Sequence, residues 1–201
     1  MSTRGFVGVG ELTSWDACYN HSDSSPKRLG SEVWQVAQDF LRHDGHLRKF
    51  AQHLRVCTEW GQMVEMIADS NPASNLPHPA NSLITSTNVD WLHMEWGYIV
   101  DPATNILHIF AGLIETPVIY NLEYIRPDGR HDTRSGQSRY TGVLVASWDL
   151  QEAEPDWAAV EQTGEAMREY WDTAFANNPH HPLLDSLRYL PTLDVHDQRE
   201  S

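Results

Sequence analysis

EWGYIVDPATNILHIFAG, residues 95 to 112, is the stretch that decides how this chain folds. Two runs, VDWLHMEWGYIVD and NILHIFAGLIE, are rich in the branched and aromatic side chains that suit a pleated surface, and they meet at Asp-Pro-Ala-Thr-Asn. Proline with aspartate and asparagine is turn chemistry, so the two runs form an antiparallel hairpin. Everything outward from it either extends that sheet or covers it.

Toward the N-terminus, GFVGVG at 5–10 and SWDACYNH at 14–21 alternate small or polar residues with apolar ones, which predicts a first hairpin across Glu11 to Ser14. Toward the C-terminus, VIYNLEYI and RYTGVLVASWDL add two strands around the polar loop RPDGRHDTRSGQS. The helical spacing is equally clear. Ser31 stands as an N-cap before Val33, Trp34, Ala37, Phe40 and Leu41, predicting a helix over 31–43. After His-Asp-Gly, Leu47, Phe50, Leu54 and Cys57 line one face of a second helix, with Arg42, Arg48, Lys49 and Arg55 on the wet side. A third, over 156–177, carries Trp157, Val160, Gly164, Met167, Trp171, Ala174 and Phe175 on one stripe and stops at Asn-Pro-His-His-Pro. Strands, helices, strands and a helix without strict alternation predict an α+β fold, a mainly antiparallel sheet of five to six strands with helices packed on it.

The 201 residues suit a single domain, 1–201, with an exposed Pro/Asn loop at 71–81 and a tail at 190–201 polar enough to fray. Hydrophobic residues at 40% and eight tryptophans supply a core, and no apolar run approaches the ~20 residues a membrane helix needs. We therefore expect no membrane association. Of the tryptophans, most fall on apolar faces and are read as core, with Trp15 and Trp60 the exposed ones. A net charge of −14 with dispersed basic residues argues against nucleic acid, whose phosphates demand a concentrated cationic patch. The opening MSTRGFVGVG has no apolar core followed by a cleavage site, and Cys18 and Cys57 make no disulfide framework, so the expectation is cytoplasmic, with buried thiols, as a monomer or small homo-oligomer.

Candidate chemistry concentrates in YNHSDSSPKRLG, Tyr19 to Gly30. His21 and Asp23 stand two apart after a strand, where a carboxylate can orient an imidazole, and Ser24 follows directly. Tyr19, Asn20, Lys27 and Arg28 supply hydrogen bonds and charge for a ligand, Pro26 stiffens the loop, and Gly30 and Ser31 fix its turn into the helix. The remaining histidine pairs, His43 with His46, His93 with Glu95, His131 with Asp132 and His180 with His181, are scattered, so no metal and no cofactor is expected. The glycines of GFVGVG do not match the dinucleotide fingerprint and are read as close packing. Ser2 would offer an N-terminal nucleophile only if Met1 were removed.

MSTRG, YNHSDSSPKRLG and EWGYIVDPATNILHIFAG together resemble a family of actinobacterial and phage proteins that open MGTRG or MSTRG. Those proteins carry YNHWDSYPxGLG and a later EWAYVIDL hairpin. Ser22 and Ser25 stand where that pattern has tryptophan and tyrosine, so a binding surface made by those aromatics would be lost here. The resemblance implies a cytoplasmic protein from a phage or its host and assigns no catalytic residue. Two readings follow. One is a binding protein, such as a phage or host-defence accessory factor, that holds a protein or small-molecule partner on the 19–30 loop. The other is a small hydrolase centred on His21 and Asp23 or on an N-terminal nucleophile.

Overall fold

The structure is a computed structural model that describes residues 3–12, 14–68, 84–86, 89, 94–112, 123–125, 131–133 and 142–177. The Pro/Asn loop at 71–81 and the tail at 190–201 lie outside the described residues. A six-stranded sheet runs in the order β3-β2-β1-β4-β5-β8, formed by β1 (Gly5–Glu11), β2 (Ser14–Asn20), β3 (Ile84–Thr85), β4 (Trp96–Asp101), β5 (Ile106–Gly112) and β8 (Gly142–Asp149). Strands β6 (Glu123–Ile125) and β7 (His131–Thr133) make a separate antiparallel pair inside the stretch read as loop and strand.

Both hairpins form where the sequence places them. β1 and β2 pair from Gly5↔Asn20 to Glu11↔Ser14, and β4 and β5 from Trp96↔Ala111 to Asp101↔Ile106. The second turn is built by its polar residues: Asp101 Oδ1 accepts the Ala103 amide at 2.8 Å, and its Oδ2 accepts the Thr104 hydroxyl at 2.7 Å. Asn105 has φ 58°, a left-handed conformation that asparagine tolerates better than most residues. The two hairpins join through β1 and β4, which run parallel from Gly5↔Trp96 to Val9↔Val100. A parallel join needs a crossover, and the helices between β2 and β3 provide it.

The helices are α1 (Ser31–Asp44), α2 (Arg48–Leu54), α3 (Trp60–Ala68) and α4 (Trp157–Asn177). They share one face of the sheet. Val7, Val9, Cys18, Tyr98, Val100, Leu107 and Ile109 point into it from the strands, and Val33, Ala37, Phe50, Leu54, Met63 and Val160 meet them from the helices. Each fully buried side chain of this size contributes about 1.5–3 kcal/mol, which is what holds the short α2 in place. Leu47, Phe50, Leu54 and Cys57 are all buried, and Arg42, Arg48, Lys49 and Arg55 are exposed, although the helix itself is shorter than the spacing predicts, with Leu47 just before it and Cys57 beyond its end at Leu54. Gly45, at φ 71°, donates to the Leu41 carbonyl and ends α1 in the left-handed cap that glycine favours.

The other face carries Phe6, Trp15, Ala17, Ile99 and Phe110, with Val89 and Met94 packed on them. Trp15 is therefore buried, stacked on Phe6 with ring centroids 5.0 Å apart, and Trp60 is buried on the helix side against Phe50. Both correct the expectation of exposure. Trp15 opposes Gly10 and occupies the space a side chain there would need, a pairing that alternation alone does not reveal. Gly97 serves Phe6 in the same way, since a Cβ there would lie 2.3 Å from its ring.

Helix formation also begins earlier than Ser31. Pro26–Gly30 forms one π-helical turn running straight into α1, with the Ser25 carbonyl accepting from the amides of Arg28, Leu29 and Gly30. Ser31 has helical angles and so is no N-cap; its hydroxyl donates to Glu154 at 3.0 Å. Pro26 explains the shift, because its fixed φ and missing amide suit the first helical position. Gly30 then lets this turn sit against Trp157 and Tyr98, whose rings lie 2.8 and 3.0 Å from where a Cβ would be. Among the described residues, no helix is long and apolar enough to cross a membrane.

Candidate functional site

β2 ends at Asn20, at the edge where β1 and β4 begin, so the loop that follows is held between Thr3 on one side and Tyr98 on the other. Its polar residues turn inward. Asn20 is buried, and its Nδ2 donates to the Ser22 carbonyl at 3.1 Å and to Ser24 Oγ at 2.9 Å, while its Oδ1 accepts from the Ser22 hydroxyl at 3.1 Å. The Ser24 hydroxyl donates back to the Ser22 carbonyl at 3.1 Å. Its amide donates to Thr3 Oγ1 at 2.8 Å, and its carbonyl accepts from the Tyr98 phenol at 2.8 Å. Burial pushes the Tyr98 phenol well above its ordinary value, which keeps it a donor.

Asp23 fastens the outer side of this knot. Its Oδ1 accepts from Thr3 Oγ1 at 2.7 Å and from the Ser25 amide at 3.0 Å. The Ser25 amide, followed by the Thr3 hydroxyl, holds its carboxyl below the usual carboxylate range. This is the local backbone satisfaction in which aspartate and serine commonly engage. Gly5 makes room for it, because a Cβ there would lie 2.7 Å from that of Ser24.

His21 turns the other way. Its ring stands edge-on to Tyr19 at 4.1 Å, and Nε2 lies 3.3 Å from Glu59 Oε1, with both side chains more than half exposed. Tyr19 is bridged to this neighbour through the backbone, its amide donating to the Thr58 carbonyl at 3.1 Å. The three residues read as catalytic are therefore distributed over two environments: Asp23 and Ser24 in the knot, His21 beside Glu59 on the surface. Ser24 is fully buried and its hydroxyl is engaged on both sides. Of the residues read as binding, Asn20 is structural, Tyr19 is half-buried, and Lys27 and Arg28 are exposed on the π-turn. Lys27 reaches across to Glu161 of α4 at 2.7 Å.

Sequence reasoning missed the partners that come from far along the chain: Thr3, Glu59, Tyr98 and Glu161. A tyrosine on a strand face aimed at a serine-rich loop is a signal only once β1 and β4 are known to be parallel. Elsewhere at this end of the sheet, Arg168 of α4 lies over Trp96, 4.5 Å from the ring centre. It donates to the Gly112 carbonyl at 2.8 Å and to the Glu95 carbonyl. Among the described residues, no three of histidine, cysteine, aspartate and glutamate gather as a metal site. Compared with known protein families, with curated proteins and with solved structures, the chain matches none.

Proposed function

We propose that this protein is a cytoplasmic binding protein that presents the 19–30 loop as a preformed docking surface for a protein or small-molecule partner. The observation that carries the reading is the division of labour within the loop. Asn20, Ser22, Ser24 and Asp23 knit its backbone together and to Thr3 and Tyr98, while His21, Lys27 and Arg28 stand outside on that fixed backbone. A surface already ordered before binding avoids the cost of ordering it afterwards, which is how rigid recognition loops gain affinity. Buried thiols fit a reducing compartment: burial raises both cysteines, Cys57 to about 11 and Cys18 further. In the setting the resemblance implies, the partner belongs to a phage or to its host's defence.

A photo-crosslinking amino acid placed at position 21 or 28, in the cell that makes the protein, tests this. Expected is one discrete crosslinked species, identified by mass spectrometry, that is lost with Lys27→Ala and is absent when the crosslinker sits at the remote, exposed Gln52. Identical products from all three positions, or none from the loop, would overturn it.

A further inference from the structure

On the sheet face away from the helices, β5 and β8 bring together two residues that lie far apart in sequence. His108 and Ser147 are register partners, and Nδ1 of the histidine lies 2.8 Å from the serine Oγ. The imidazole is buried and the serine is exposed, so the pair has a sheltered base and an open hydroxyl. We propose that Ser147 and His108 are a nucleophile and its general base, forming an acyl-transfer site for small neutral esters that is separate from the 19–30 loop.

Three features of the strands support this. The bond has the length of a nucleophile–base hydrogen bond, and with the ring proton on Nε2, Nδ1 accepts the hydroxyl proton. The pairing of β5 with β8 slips between Ile109 and Phe110, so that Ile109 opposes Ala146 while Phe110 opposes Leu144. Such bulges re-aim side chains and recur beside active sites; here the bulge lies within three residues of Ser147. Third, burial lowers the pKa of His108 from 6.5, partly offset by Asp101, so the ring is neutral and able to accept a proton at neutral pH. Asp101 and Asp149 face the same Ile106 row of the sheet, next to the His108 row, and their charges favour a neutral substrate over a carboxylate.

The step balances without a further reactant except water. Ser147 Oγ bonds to the ester carbonyl carbon as its proton passes to His108 Nδ1. The carbon–oxygen bond to the alcohol breaks, and the alcohol leaves with that proton. Water then adds to the acyl-serine through the same base, releasing the acid and restoring the hydroxyl.

A fluorophosphonate probe, read by intact mass and peptide mapping, tests the pair. Expected is one adduct on Ser147, with labelling that rises with pH through a midpoint below 6.5, absent in Ser147→Ala and slowed about a hundredfold in His108→Gln. Labelling of Ser147 no faster than of the exposed Ser14 would overturn the proposal. If His108→Gln does not fold, Ser147→Cys replaces it: iodoacetamide alkylation should follow a thiol midpoint well under the ordinary ~8.5, and a midpoint at or above that value would equally overturn it.

Discussion

Between Asn20 and Ser25 nearly every polar side chain is turned back on the loop's own backbone, whereas His108 and Ser147 sit on two paired strands beside a bulge, and one of them opens to solvent. The first region holds the greater density of hydroxyls, amides and charge. The second holds the shorter list and the geometry of a base against a nucleophile. Abundance of chemistry-bearing residues in a loop more often reflects how many backbone groups a loop leaves unpaired than how many ligands it binds. What separates structure from chemistry is which polar atom still faces outward after the backbone has been satisfied.

The sharpest way to break that contrast is at Asn20. Its amide holds the Ser22 carbonyl and the Ser24 hydroxyl, and its carbonyl oxygen holds the Ser22 hydroxyl; the bond to Ser24 is buried and the two to Ser22 are part-buried. Asn20→Ala removes three bonds and leaves a buried hydroxyl with fewer partners, so chemical denaturation should show a loss of about 3 kcal/mol, the sum of a few net hydrogen bonds and a desolvated group. A loss under about 0.5 kcal/mol, the size of an ordinary surface change, would mean that the knot does not hold the loop.

How much of this was legible in the sequence depends on range. Both hairpins, the helix read over 31–43 and α4 were readable because their signals lie within one element or one turn: alternation, three-and-four spacing, Asp-Pro-Ala-Thr-Asn and the His-Asp-Gly break. The inward turn of the loop was not, because Thr3 and Tyr98 reach it only through the parallel join of β1 to β4, which no local pattern specifies. The same holds for His108 and Ser147, whose register depends on how β8 returns to the sheet. Trp15 and Trp60 were misjudged for a related reason: their burial comes from Phe6 across the hairpin and from Phe50 on another helix.

A smaller effect is expected at Asp23, on the exposed rim of the knot. Asp23→Ala removes the acceptor for the Thr3 hydroxyl and the Ser25 amide, and by analogy with the loss of a capping residue it should cost about 1 kcal/mol near neutral pH. The cost should depend on pH in a defined direction. Because the folded carboxyl lies below its ordinary 3.8, its contribution is full above that value and fades as pH falls through the folded pKa. Denaturation of wild type and variant at pH 7, 5 and 3 should therefore give equal gaps at the first two and a narrower one at the third. A gap that widens in acid would show that the carboxylate is not the bonded form.

The smallest change is expected at Ser147, and there it is the smallness that matters. The serine side chain is exposed although its partner ring is buried, and its described hydrogen bond, to His108 Nδ1, is only part-buried, so in Ser147→Ala a water entering from the solvent side takes the place of the hydroxyl. Stability should move by no more than about 0.5 kcal/mol, as for most surface substitutions. Ser24→Ala, the same chemical change inside the knot, should cost several times more, because there the Asn20 amide is left without its buried acceptor. If the two serines prove equally costly, the His108–Ser147 bond is a structural tie between β5 and β8, and the contrast between a loop that uses its polar groups and a strand pair that offers them does not survive.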